Sequence, residues 1–162
     1  VAQCEIKQEV TLAAFSAAKA RGCVTILNPA PFQPLSKELL EVTDWIIPNE
    51  TEFKELHGQT PTSDEVLRSF RPGKNSIVTL GSEGAVLITS DGNLIRVSAP
   101  KVNAVDTTGA GDAFVGTFAF ALASGKSPED AMKLGVKVAS MSVTRKGAQS
   151  SYPSQAEIET LS

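Results

Sequence analysis

Residues 103–116 read N-A-V-D-T-T-G-A-G-D-A-F-V-G. Glycines let a backbone turn tightly and approach a ligand closely. The first N–H groups of a helix have no intrahelical partner and, with the helix dipole, attract an anion such as phosphate. Gly109-Ala110-Gly111-Asp112 stands directly before 113–122, the most apolar run in the chain. A carboxylate where a glycine loop enters a buried helix is costly unless something compensates it, so Asp112 is the first candidate for chemistry. Taken alone, the stretch also reads as a plain glycine turn with an acidic residue at a helix start. It is not a Walker loop, since no Gly-Lys-Ser/Thr follows, and it lacks the third glycine of a dinucleotide fingerprint.

Three further stretches carry suitable groups. Asn49-Glu50-Thr51-Glu52 follows the apolar D-W-I-I at 44–47. It reads either as a capping box or as an amide and a carboxylate organising hydrated Mg²⁺. Thr79-Leu80-Gly81-Ser82-Glu83-Gly84 reads as a hairpin turn or as a nucleotide contact through backbone and hydroxyls. Residues 145–152, R-K-G-A-Q-S-S-Y, read as a solvated loop, as carbonyls offered to a cation, or as a way of bringing Arg145 near a nucleotide.

Strands and helices must alternate to position these loops. Strands are expected at 1–4, 23–27, 44–47 and 76–80, with helices at 8–21 (apolar at Val10, Ala13, Ala14 and Ala17), 36–42 and 49–57. A capping box at Thr62-Ser63-Asp64-Glu65 opens another helix to about 70. The pattern then changes to strands at 85–89 and 94–98 around a D-G turn, an antiparallel edge meander. Helices return at 112–124 and 129–143, and Ser154-Gln155-Ala156-Glu157 caps a terminal one. Such alternation implies a mostly parallel α/β sheet with ligands beyond the C-terminal strand ends.

The 162 residues suit a single domain spanning 1–162. With 15 Lys plus Arg against 18 Asp plus Glu, the charge of -3 offers nothing to nucleic acid or an anionic membrane. No apolar run approaches the ~20 residues of a membrane helix, no targeting segment is read at the start, and a cytoplasmic location is expected. Cys4 and Cys23 form no metal or redox motif and are expected to be buried in a reducing compartment. His57, the single histidine, precedes Gly58 and reads as a charge at a helix C-terminus, so a Ser-His-Asp triad is nearly excluded.

In order and spacing, D-T-T-G-A-G-D-A-F at 106–114, N-P-A-P at 28–31, N-E-T-E at 49–52, T-L-G-S-E-G at 79–84 and V-T-R-K-G-A-Q-S-S-Y-P at 143–153 resemble the ribokinase family of sugar kinases, the PfkB carbohydrate kinases. The resemblance runs over about residues 1–153 and implies a three-layer α/β/α sandwich, mostly parallel with an antiparallel edge meander. The family's chains are about twice this long, so the chain is expected to be the C-terminal half, with the N-terminal half and lid missing. The family implies ATP-dependent phosphorylation of a sugar hydroxyl, with ribose the first acceptor expected and fructose or a nucleoside the alternatives. Outside the family's activity stands a non-catalytic nucleotide- or phosphate-binding module or truncated remnant. By resemblance Asp112 is the general base, and Gly109, Ala110 and Gly111 form the anion hole. Asn49, Thr79, Gly81, Ser82, Glu83, Gly84 and Gly111 contact ATP, and Glu52 with Asn49 organises Mg²⁺. Asp106, Thr108, Ser142, Arg145, Gly147 and Ser151 match a monovalent-cation site, usually K⁺. Glu5 matches a sugar-contacting glutamate, and Val136 stands where the family often has Asn or His beside the adenine. A homodimer is compatible with the resemblance.

Overall fold

Ser36, Asn49, Ser63, Ser127 and Ser154 each stand directly before a helix. Their side-chain oxygens accept the N–H of Leu39, Glu52, Val66, Asp130 and Glu157 respectively. Each cap satisfies one of the N–H groups that a helix start leaves without a partner. The computed structural model describes residues 1–160. Its helices are α1 (Gln8–Lys19), α2 (Lys37–Glu41), α3 (Glu50–His57), α4 (Asp64–Ser69), α5 (Ala110–Ala123), α6 (Pro128–Ser142) and α7 (Gln155–Glu159). The strands are β1 (Ala2–Gln3), β2 (Ile26–Asn28), β3 (Trp45–Ile46), β4 (Asn75–Thr79), β5 (Ala85–Ile88) and β6 (Leu94–Val97).

The six strands form one sheet in the order β1-β2-β3-β4-β5-β6. The first four are parallel, pairing Ala2 with Leu27, Ile26 with Trp45, and Trp45 with Asn75. Residues 80–84 alone join β4 to β5, and 89–93 alone join β5 to β6. Parallel neighbours need a crossover of a dozen or more residues, so these two pairs are antiparallel, as the meander reading expects.

The chain divides into two compact units: residues 1–79 with 86–95, and residues 80–85 with the chain from Arg96 onward. In the first, Leu27, Leu39, Ile46, Phe53, Leu67, Ile77 and Val78 are fully buried. His57 caps this core from the side. Its ring lies edge-on to Phe53 and Phe70, and Ser69 Oγ is 2.9 Å from its Nε2. In the second unit α5 packs on α6, and Phe114, Phe118, Ala131, Met132 and Leu134 of the two helices are buried. A side chain at Gly135 would meet the Phe114 ring at 3.0 Å, so this glycine sets how closely the two helices approach.

Several sequence expectations need correction. The α1 core face is Thr11 and Phe15, whereas Val10 is 56% exposed and Ala13, Ala14 and Ala17 face out. Both sets have helical spacing, and burying one phenylalanine removes more apolar area than burying several alanines. Strand β2 starts at Ile26, leaving Cys23 exposed, while Cys4 is buried as expected. Ser63, not Thr62, caps α4. Helix α5 begins at Ala110, two residues before the expected start at Asp112.

Asp44 ties together the N-terminal ends of β2, β3 and β4. Its carboxylate accepts from Lys19 Nζ at 2.8 Å, Lys74 Nζ at 2.9 Å, Thr25 N at 3.0 Å and Thr25 Oγ1 at 3.1 Å. Burial opposes ionisation, but the bonds from Lys19, Lys74 and Thr25 outweigh it and hold the Asp44 carboxyl well below the usual carboxylate range. A depressed folded-state pKa contributes stability that is complete above the unfolded value and is lost as pH falls below it. Asp44→Asn should therefore cost about 2 kcal/mol at pH 7 in urea unfolding. The deficit should shrink as pH falls below about 4, where Asp44 of the unfolded wild-type chain takes up a proton that the folded carboxylate still resists. A deficit independent of pH would contradict the charge-assisted role.

Candidate functional site

Asp106 joins two loops of the second unit. Its Oδ1 accepts from Thr108 N at 3.0 Å and Thr108 Oγ1 at 2.7 Å, and its Oδ2 accepts from Gly147 N at 2.8 Å. The Thr108 hydroxyl, then the Gly147 and Thr108 amides, hold its carboxyl down to about 2. The same loops meet at the Val143 carbonyl, which accepts from Val105 N at 2.7 Å and Asp106 N at 3.2 Å. They meet again where Tyr152 Oη donates to Gly109 O at 3.2 Å.

This clamp delivers the chain to the start of α5. Gly109 is the N-cap, with φ 77 and ψ 1, and no side chain caps the helix there. A Cβ at Gly109 would lie 2.7 Å from Tyr152 Oη and 3.1 Å from Ala148 Cβ, so both conformation and space require glycine. Gly111 and Asp112 take the second and third helical positions, whose N–H groups have no carbonyl four residues back within the helix. Ala110 N donates to Thr107 O at 3.2 Å. Asp112 is exposed, so its charge is not the buried one that the apolar run suggests. That run is itself not wholly buried: Phe120 is 67% exposed. The Asp112 carboxylate lies near enough to Tyr152 to help burial push the phenol's pKa up.

Around this centre, Ser142 is buried, donates its hydroxyl to Ala139 O at 2.9 Å, and accepts Arg145 N on its carbonyl at 3.1 Å. Ser151 is fully buried and donates to Ala148 O at 2.6 Å. The Arg145 guanidinium pairs with Glu157, holding that carboxyl down to about 2. Arg145 therefore anchors α7, and only its backbone remains for the cation site. The set formed by the Asp106 carboxylate, the Thr108 and Ser151 hydroxyls and the Ser142, Arg145 and Gly147 carbonyls is all oxygen, which fits a hard monovalent cation such as K⁺.

Residues 81–83 form a 3₁₀ turn between β4 and β5, closed by Leu80 N donating to Gly84 O at 2.8 Å. Gly84 has φ 103 and ψ -126, and a Cβ there would sit 2.0 Å from Val97 O. Ser82 and Glu83 are exposed.

The other candidates belong to the first unit. Asn49 caps α3, accepting Glu52 N at 2.9 Å, while the Glu52 carboxylate accepts Asn49 N and Nδ2, each at 2.9 Å. The capping-box reading is thus realised. Glu52 is 7% exposed, and burial raises its pKa despite the bonds from Asn49. With both oxygens already holding Asn49, Glu52 fits a hydrated Mg²⁺ approached through water better than a bare one. Thr79 bridges to Asn49 across the sheet, and its N–H donates to Pro48 O at 3.0 Å. Glu5 is exposed in the turn after β1. Val136 is buried within α6. Among the described residues, no three His, Cys, Asp or Glu side chains converge as a metal cluster, and no helix is long and apolar enough to cross a membrane.

The family model "pfkB family carbohydrate kinase" matches residues 1–155, and the chain belongs to that family. It is 39% identical to a ribokinase of Staphylococcus aureus (strain COL) over 168 residues, covering 99% of this chain and 55% of that protein. It is 42% identical to a deoxyribokinase of Salmonella typhi, covering 95% of this chain and 52% of that one. The structure of Arabidopsis thaliana ribokinase complexed with ribose and ATP superposes with a TM-score of 0.92 at 35% identity, covering 98% of this chain and 54% of that one. The fold is therefore ribokinase-like, and the chain spans about half the length of the relatives it matches.

Sequence reasoning placed Val143, Ala148 and Tyr152 in a candidate stretch but did not give them their role of holding the loop before α5.

Gly84 and Gly111 should separate structural from functional glycines. Gly84→Ala should cost more than about 2 kcal/mol, because the clash is with backbone. A Cβ at Gly111 would meet nothing within 4 Å, and the residue sits inside a helix. Gly111→Ala should hold stability or raise it by about 0.5–1 kcal/mol. Thermal and urea unfolding of both variants checks this.

Proposed function

We propose that the chain carries the nucleotide-binding and phosphoryl-transfer machinery of an ATP-dependent sugar kinase, with ribose as acceptor. The observation that carries the reading is a left-handed Gly109 opening α5 with Asp112 at its third position, the loop before it clamped by Asp106 to Gly147. Family membership and the ribokinase relatives support the reaction class. In this reading the Asp112 carboxylate takes the proton of the sugar hydroxyl as that oxygen bonds the γ-phosphorus. The bond from the γ-phosphorus to the β,γ-bridging oxygen breaks, and ADP leaves. The N–H groups of Gly109, Ala110 and Gly111 meet the negative charge on the transferred group. Ala110 joins them by releasing or sharing its bond to Thr107 O.

Asn49 and Glu52 of the first unit would hold hydrated Mg²⁺, which would supply neutralisation of phosphate charge. The Asp106 site of the second unit would hold K⁺, which would add to the ties between the loops around Asp106. Thr79, Gly81, Ser82, Glu83 and Gly84 would receive the nucleotide, and Glu5 a sugar hydroxyl. The chain would work as one catalytic unit, in the cytoplasm and without a nucleic-acid partner.

A second acceptor, deoxyribose, is favoured by the 42% identity to a deoxyribokinase. A coupled ADP-release assay with each sugar separates the two.

Asp112→Asn should lower kcat by roughly 10²–10⁴-fold while leaving the calorimetric Kd for ATP within about twofold. Turnover near wild type would remove Asp112 as the base. ATP binding without turnover in the wild type would favour a non-catalytic nucleotide-binding module.

A further inference from the structure

We infer that Tyr152 is a positioning residue for phosphoryl transfer, its hydroxyl fixing the Gly109–Ala110 peptide at the mouth of α5. The inference rests on the kinase reading above. The Gly109 carbonyl accepts two bonds: Ala113 N at 2.9 Å, the first rung of the helix, and Tyr152 Oη at 3.2 Å. A peptide is planar, so the orientation of this carbonyl dictates where the Ala110 N–H on the same plane points. That N–H is the one turned toward Thr107 O, so small rotations of this plane decide whether it serves the loop or an incoming anion.

The phenol occupies the space a side chain at Gly109 would take, 2.7 Å from the ideal Cβ. Gly109 has no side chain of its own to hold its left-handed backbone, and Tyr152 supplies the restraint from outside. Tyr152 is itself held in place. It follows the 3₁₀ turn Gln149–Ser151, whose Ser151 is fully buried, and Gly147 at the start of this segment donates to Asp106. The ring is half-buried, and its hydroxyl donates to Gly109 O.

Tyr152→Phe keeps the ring and removes only the hydroxyl, whereas Tyr152→Ala removes both. Losing one neutral hydrogen bond, about 1 kcal/mol, should lower kcat roughly fivefold in the phenylalanine variant. Its KM for ribose and its calorimetric Kd for ATP should stay within about twofold, since the interaction is made fully only in the transition state. Its melting temperature should fall by no more than about 2–4 °C. Tyr152→Ala should lower kcat and melting temperature together. A merely structural tyrosine would leave the phenylalanine variant with wild-type kcat beside its wild-type KM and ATP Kd, and that result overturns the inference alone. A wild-type protein that does not bind ATP removes the kinase reading, and this inference with it.

Discussion

The Asp106 carboxylate is the constraint on which the site depends. One of its oxygens closes the turn of its own loop through Thr108, and the other reaches across 41 residues of sequence to Gly147 N. Without it the chain between Val105 and Gly109 would keep its bonds to the Val143 carbonyl and the Tyr152 hydroxyl but lose its tie to Gly147. That loop sets the starting direction of α5, and the starting direction aims the first N–H groups and Asp112. Charge-assisted bonds are the stronger kind, and the bonds from Thr108 and Gly147 favour the ionised Asp106 and hold its pKa down. In the proposed reading the same carboxylate would also belong to the K⁺ site, so loop geometry and cation chemistry would share one group.

Glycine serves two different ends around this clamp. At Gly109 and Gly84 the backbone and its neighbours exclude any side chain. At Gly111 nothing in the chain excludes one, and helix propensity argues for alanine. A glycine where the fold does not need one leaves open space, which the proposed function assigns to an anion at the start of α5. The N-terminal ends of the parallel strands carry a purely structural charge cluster. There Asp44, Lys19, Lys74 and Thr25 bind the sheet together.

Much of this was legible in the sequence. The caps at Asn49 and Ser154 were, because the residue types that accept a helix N–H are few. The antiparallel edge was, because links of five residues leave no other pairing. The start of α5 was misjudged because Gly-Ala-Gly reads as loop, whereas a left-handed Gly109 lets helix begin at Ala110. The buried face of α1 was misjudged because apolar residues cover more than half its circumference and periodicity alone does not choose among them. Asp112 proved exposed, so the argument from a costly buried charge fails while the argument from its position at a helix start holds. The link from Tyr152 to Gly109 was invisible because it joins residues 43 apart in sequence through a hydroxyl and a carbonyl.

The central claim is that this clamped helix start holds a nucleotide's phosphates. Calorimetric titration of ATP into the 162-residue chain with Mg²⁺ and K⁺, followed by addition of ribose and measurement of ADP release, tests it most directly. The account predicts saturable one-site binding of ATP, weakened when K⁺ is replaced by a cation too small for the oxygen set around Asp106, and ADP release that depends on ribose. No heat of binding at millimolar ATP would contradict it and leave the family membership without the activity.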